Sequence, residues 1–296
     1  MKWLVSFEKY LRYERRYSDH TVRSYTNDLE QFSVYLTAQL GMTDEIGLKH
    51  FHVRSWIVHL MQDNYTAKTV NRKISTLKSY FKYLKKSGHI KSNPTAKVIA
   101  PKIAKRLPVV VREERIEDLL DREIDQNDFE SVRNQLVIDL LYTTGIRRSE
   151  LINLKESDIN YYLRHIKVLG KGNKERIIPI SHKLIESIKL YFELKESEQL
   201  NESKFLITTS KGKKSYPKLI YNIVHAQLST VSTVKKRSPH ILRHSFATHL
   251  ANQGAELNAI KEIMGHANLS ATEIYMHNSI DRLRSVYQNA HPKSKE

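Results

Sequence analysis

The apolar periodicity of this 296-residue chain breaks once, at residues 91–112, and that break divides what can fold into two parts. Asn93-Pro94, Pro101, Lys105-Arg106 and Pro108 set prolines among basic residues with no sustained apolar period. Proline removes an amide donor and turns the residue before it away from helix, so such a run reads as an extended linker. The expected division is a first domain over 1–104, a linker over 105–112 and a second domain over 113–296. No internal repeat or low-complexity tract is visible.

The first part reads as helices. Phe7, Tyr10 and Leu11, then Leu29, Phe32, Tyr35 and Leu36, recur at three- and four-residue spacing. Ser18 suits an N-cap. Leu48 to Met61 gives a third helix. A fourth runs from about Thr66 to Lys86, with Val70, Ile74, Leu77, Phe81 and Leu84 on one face and Gly88 just beyond its end. Lys68, Arg72, Lys73 and Lys82 fall on or near the other face. A charge run is ordinarily a solvated face. Here Thr66, Thr69, Asn71 and Ser75 add small donors, which suits phosphate contact.

The second part is mixed. Asn134 to Thr143 is a strongly apolar helix ended by Gly145. Tyr162 to Val168 and Arg176 to Ile180 are strand-like and joined by Gly170-Lys171-Gly172-Asn173-Lys174, a hairpin with a glycine-rich turn. The rest is expected to be helical to Gln288. The fold class is therefore mainly α with a small antiparallel β-sheet.

Charge bears on the partner. The chain holds 49 Lys plus Arg against 32 Asp plus Glu, a formal net charge of +17. Residues 1–104 account for 18 basic and 8 acidic residues, so the first third is the more basic per residue. This points to nucleic acid, with a DNA-gripping module at the start; a basic protein with no ligand is the bland alternative. The absence of cysteine excludes a disulfide scaffold, a thiolate metal site and a cysteine nucleophile, and fits a reducing cytoplasm. No apolar run approaches the roughly 18 residues of a membrane span, and the start is charged too early for a secretory signal. The expectation is a cytoplasmic protein without a membrane partner.

Four clusters bear on chemistry, each with a dull reading. In Thr144-Gly145-Ile146-Arg147-Arg148-Ser149-Glu150-Leu151, Arg147 and Glu150 lie three apart, where a carboxylate can fix a guanidinium; a surface ion pair is the plain alternative. Gly170-Lys171-Gly172 lacks the Ser or Thr and the upstream glycine of a phosphate loop, so Lys171 is a hairpin-tip lysine, solvated or reaching into a groove. Ser238-Pro239-His240-Ile241-Leu242-Arg243-His244 opens a helix with His240 and Arg243 on one face. His240 and His244 have the spacing of a zinc pair, but no carboxylate lies near as third ligand, so no metal site is expected. Met264-Gly265-His266 ends a helix. Ser270 and Glu273 form a capping box that sets Tyr275 in the second turn of a short helix.

In this order and over this span the set Arg, Lys, His-x-x-Arg, Gly-His and Tyr resembles the tyrosine recombinases, the phage-integrase-like enzymes. The resemblance covers nearly the whole chain, including Thr69-Val70-Asn71-Arg72-Lys73-Ile74 and Lys171-Gly172-Asn173-Lys174-Glu175-Arg176; the compact length, the lack of an extra arm-binding domain and the ending Tyr287-Gln288-Asn289-Ala290-His291-Pro292-Lys293 look most like the Xer-type branch. The resemblance implies a SAM-like core-binding domain and a catalytic domain closing on DNA as a C-shaped clamp. It implies that Arg147 and Arg243 clamp the scissile phosphate, with Glu150 orienting the first. Lys171 would be the general acid, His240 the candidate base, His266 a further donor to the phosphate, and Tyr275 the nucleophile. Met264 stands where leucine is usual, and Ala271 and Met276 where threonine is common; none removes a catalytic group.

The implied function is site-specific recombination through a 3′-phosphotyrosyl link, in the Xer branch serving chromosome dimer resolution. An integrase of a mobile element, a type IB topoisomerase and a non-catalytic DNA-binding regulator are the alternatives. No carboxylate cluster suited to two metal ions appears, and the covalent link conserves the bond energy, so no cofactor is expected. The implied partners are double-stranded DNA with a specific site, a homo- or heterotetramer with a second recombinase, and a septal DNA translocase. The segment from about Ile280 would dock on a neighbouring protomer.

Overall fold

The computed structural model describes residues 1–103, 109–170, 173–231, 234 and 237–265. It divides into two compact units, Met1–Arg106 and Leu107–Glu296. The expected elements beyond residue 265, including the Ser270–Glu273 capping box, the Tyr275 helix and the docking segment, lie outside the described residues.

Unit 1 is helical. α1 (Leu4–Lys9) runs into a π-helical turn (Tyr10–Glu14), followed by α2 (Asp19–Leu40), α3 (His50–Gln62) and α4 (Ala67–Lys86). Ser18 caps α2, its Oγ accepting from the Thr21 amide at 3.4 Å, and Thr66 caps α4 by accepting from the Thr69 amide at 3.3 Å. Gly41 at φ 64° ends α2. The inner stripe of α4, Val70, Ile74, Leu77, Phe81 and Leu84, is fully buried. It packs among Phe7, Phe32 and Trp56, with the Phe32 and Trp56 rings 4.8 Å apart. Each such side chain contributes about 1.5–3 kcal/mol by leaving water, so this stripe sets the seating of α4.

That seating turns Lys73 inward, against expectation. Its ammonium lies 2.9 Å from Asp28 Oδ1 and its side chain is 3% exposed. Asp28, itself buried, also accepts from Thr76 and from Arg72, which bonds Ser24 as well. At 100° per residue Lys73 sits more than a quarter turn from the line through Lys68, Arg72, Ser75 and Lys82, all exposed. Lys86 joins that exposed line and escaped the sequence reading. The small donors are also spoken for: Thr66 serves as the cap and its hydroxyl lies 3.0 Å from that of Thr69, Asn71 Nδ2 donates to the Pro101 carbonyl at 3.0 Å, and Ser75 Oγ donates to the Asn71 carbonyl at 2.9 Å.

Unit 2 holds α5 (Glu113–Leu120), α6 (Phe129–Thr144), α7 (Arg148–Asn153), a 3-10 turn (Glu156–Asp158), β1 (Ile159–Asn160), β2 (His165–Leu169), β3 (Glu175–Pro179), α8 (His182–Ser197), α9 (Pro217–Val231), α10 (Pro239–Asn252) and α11 (Leu257–Ile263). The strands form one antiparallel sheet in the order β1-β2-β3. α6 is the central helix. It is apolar on nearly every side because α5, α7, α8, α9 and α10 surround it. It begins earlier than expected, at Phe129, because the Asp128 carboxylate accepts from the Ser131 amide at 2.8 Å and caps the helix there.

The expected strand over Tyr162–Val168 also shifts. Asn160 Oδ1 accepts from the Leu163 amide at 2.7 Å and closes a turn with Arg164 at φ 48°. β2 therefore starts at His165 and leaves Tyr162 93% exposed at the tip. In the β2–β3 hairpin Val168 pairs with Arg176 and Ile166 with Ile178, and the Gly170 amide bonds the Lys174 carbonyl at 2.7 Å.

Candidate active site

Four chain segments converge on one polar cluster in unit 2. The first is the turn from α6 into α7. Gly145 takes φ 60°, and a Cβ there would overlap the Phe246 ring of α10. Glycine is thus required both for the left-handed backbone and for the close approach. Arg147 follows at the N-cap of α7, where the carboxylate of Glu150 reaches back to its amide at 2.8 Å and to its Nη1 at 2.7 Å.

The second segment is α10. Pro239 occupies its first position, and Ser238 holds the N-cap place without a side-chain cap bond. His240 is exposed at the start. One turn later Arg243 is buried and donates Nη1 to the Gly145 carbonyl and Nη2 to the Met264 carbonyl. The third segment is the end of α11, where Gly265 at φ 61° offers its carbonyl to Arg147 Nη2 at 3.1 Å.

A third guanidinium completes the cluster, from a residue that the motif reading did not single out. Arg176 on β3, the fourth segment, meets Glu150 with a two-pronged fork, Nη1 to Oε1 at 3.1 Å and Nη2 to Oε2 at 2.8 Å. Its Nε donates to the Ile263 carbonyl at 2.7 Å. The signal for it was strand alternation: Arg176 shares the face of Ile178 and Ile180, both buried, and an arginine at an inward position needs a partner.

Among the described residues the cluster sets three cations, Arg147, Arg176 and Arg243, against the carboxylate of Glu150. Burial pushes the Glu150 carboxyl up, but the hydrogen bonds from Arg176 and Arg147 outweigh it and hold the group below its ordinary value. Burial, helped by repulsion from Arg147, brings the Arg243 guanidinium down to about 10. Arg243 stays charged at neutral pH, so the cluster keeps a net excess of two positive charges. Arg147 is the most open of the three, with 30% of its side chain exposed. An excess of guanidinium at a partly open cluster is a receptor for an oxyanion such as a phosphodiester.

Of the sequence-selected residues, Arg147, Glu150 and Arg243 thus meet in one cluster, and His240 lies one turn from Arg243. Lys171, His266 and Tyr275 lie outside the described residues. His249 is a packing residue, with Nδ1 2.9 Å from the buried Tyr142 hydroxyl, and burial lowers its pKa. Among the described residues no group of three or more His, Asp or Glu could hold a metal ion, and no helix is long and apolar enough to cross a membrane.

Comparison with known proteins gives the family. Residues 110–282 match the phage integrase family, and residues 4–88 match the phage integrase N-terminal SAM-like domain. The tyrosine recombinase XerC of Chlorobaculum parvum is 34% identical over 98% of this chain and 94% of its own. That of Staphylococcus epidermidis is 38% identical over 97% of this chain and 96% of its own. Among solved structures, XerH site-specific recombinase bound to a palindromic difH substrate has the same fold, with a TM-score of 0.71, 22% identity, and coverage of 92% of this chain and 80% of that one. The Tn1549 transposon integrase with transposon right-end DNA gives 0.67 and 19%, over 95% and 98%. The chain belongs to the phage integrase family of tyrosine recombinases and is a site-specific DNA recombinase.

Proposed function

We propose that this recombinase resolves chromosome dimers in the cytoplasm, as an Xer-type enzyme cutting a specific site in double-stranded DNA. Four protomers work together on two duplexes, in a homotetramer or with a second recombinase, and a septal DNA translocase is the expected activator. The near full-length likeness to curated XerC proteins supports this branch. The observation that carries the chemistry is the cluster of Arg147 and Arg243 with an excess of positive charge.

In this reading the two guanidiniums hold the non-bridging oxygens of the scissile phosphate and offset the charge that grows in the transition state. Forked, permanently charged donors suit that task better than ammonium groups. Glu150 fixes Arg147. The Tyr275 hydroxyl attacks phosphorus and gives up its proton to His240. The phosphorus–5′-oxygen bond breaks, and Lys171 donates the proton that the departing alkoxide needs. His266 adds a hydrogen bond to the phosphate. The product is a 3′-phosphotyrosyl link and a free 5′-hydroxyl; attack by the partner strand's 5′-hydroxyl reverses the steps. Lys68, Arg72 and Lys82 on α4 contact the DNA backbone; Lys73 supports them from within.

A nicked suicide substrate tests the chemistry, because it traps the covalent complex as a shifted band. Tyr275→Phe is expected to bind DNA and trap nothing; a trapped band from that variant refutes the assignment. Genome-wide mapping of covalent protein–DNA links tests the biological duty. Cleavage at one chromosomal site supports dimer resolution, whereas cleavage at the ends of an inserted element assigns the enzyme to that element.

A further inference from the structure

Arg176 costs the cluster something that its packing alone does not explain. Glu150 already has a guanidinium partner in Arg147, and a further cation nearby repels Arg243. An apolar residue of similar volume would fill the same inward position of β3 without that repulsion, and Glu150 would keep Arg147 as its partner. What the apolar residue could not do is join three segments. Arg176 forks onto Glu150, hydrogen-bonds the Ile263 carbonyl, and packs so closely on the next turn that a Cβ at Gly265 would lie 3.1 Å from its Nη1. On the other side a Cβ at Gly170 would lie 3.4 Å from the same Nη1. The side chain is 10% exposed, so solvent does not compete for these bonds.

We propose that Arg176 is a positioning residue of the recombination reaction: it locks Glu150, and through Glu150 the Arg147 guanidinium, against the Gly170 arm of the hairpin and the Ile263–Gly265 turn. The inference rests on Arg147 holding the scissile phosphate. Each prong has a distinct duty. The fork prevents the Glu150 carboxylate from rotating, which fixes the plane in which Arg147 is presented. The Nε bond fixes the turn whose Gly265 carbonyl is the other anchor of Arg147. Arg147 is thereby held at both ends by groups that Arg176 itself holds. A misplacement of about 1 Å in such a clamp costs on the order of 10²-fold in rate.

The test compares the full-length wild type with Arg176→Met, Arg176→Lys and Arg147→Ala. It measures DNA binding and the single-turnover rate of covalent trapping at saturating suicide substrate. Each rate is taken on an ordinary scissile phosphate and on a methylphosphonate, whose neutral centre needs less from the clamp. Arg176→Met is expected to bind DNA within a few-fold of wild type and to trap on the order of 10²-fold more slowly on phosphate. That deficit should shrink at least tenfold on the methylphosphonate, in parallel with Arg147→Ala, because Arg176 acts through Arg147. Arg176→Lys keeps the charge but not the fork, and is expected to stay within tenfold of the methionine variant; should the methionine variant not fold, the lysine variant carries the test. A deficit equal on both substrates, or full activity with lysine, overturns the proposal. If Arg147→Ala itself traps at the wild-type rate, the assignment of Arg147 to the phosphate fails instead.

Discussion

Replacing Glu150 by glutamine removes the one anion among three guanidiniums, and its cost can be worked out from the bonds made. The carboxylate accepts four: the Arg147 amide at 2.8 Å, Arg147 Nη1 at 2.7 Å, and the Arg176 pair at 3.1 and 2.8 Å. Glutamine keeps one oxygen and turns an NH₂ toward a guanidinium prong, donor against donor. Two charge-assisted bonds are lost, at about 1.5–3 kcal/mol each. Breaking a buried pair from one side gives a similar figure, about 3–5 kcal/mol. Against a total stability of about 5–15 kcal/mol this is a large fraction.

The effect carries a pH signature. Because the folded-state pKa of Glu150 is depressed, its contribution is complete above the unfolded value, near 4.5, and is lost as pH falls through the folded value. The gap between wild type and Glu150→Gln should be level from pH 6 to 8 and close in acid; other carboxylates titrate alike in both proteins and cancel. Peptide-resolved hydrogen exchange over α7 and β3 measures the gap where it arises. Trp3 and Trp56, the two tryptophans of the chain, both lie in unit 1, so their fluorescence reports the unit that should not change. A variant within about 1 kcal/mol of wild type at pH 7, or a gap unchanged in acid, would falsify the claim that an ionised Glu150 holds the two arginines.

The division of labour on α4 predicts two separable phenotypes. Removing Lys68, Arg72 and Lys82 together should flatten the log–log salt dependence of DNA binding by about 2–3 units, at about 0.9 per phosphate contact, and an unchanged slope removes them from the interface. Lys73→Met should leave the slope alone and instead lower unit 1 stability by about 2–3 kcal/mol in urea, read from tryptophan fluorescence, because Asp28 loses a buried cation; an unaltered midpoint contradicts this. Gly145→Ala forces a side chain into left-handed backbone and against Phe246, so a loss of about 2–4 kcal/mol and a fall in trapping are expected, and normal thermal stability would show that α10 can retreat. Cleavage should persist in excess EDTA; loss that zinc or magnesium restores would contradict the mechanism.

What the sequence revealed and what it concealed follow one physical line. Signals carried by local spacing were readable: the α4 stripe at Val70, Ile74, Leu77, Phe81 and Leu84, the glycine at 145 that ends α6, and the three-residue step from Arg147 to Glu150. Each is decided within one or two helical turns. Boundaries moved where a single side chain competed with the period, as Asp128 did at the start of α6 and Asn160 before β2. Concealed were the pairings across long separations. Lys73 and Arg72 are neighbours in sequence and look alike in charge, yet one is buried on Asp28, 45 residues away, and the other reaches that residue from the surface. Arg176 read as one more cation in a basic turn, though Glu150 and Ile263, its partners, lie 26 and 87 residues off. A buried charge is stable only where a distant partner arrives, and the sequence shows the charge without showing the arrival. The alternation of β3 marked the position as inward; asking which carboxylate could meet it there, rather than which motif contained it, leads from Arg176 to the cluster.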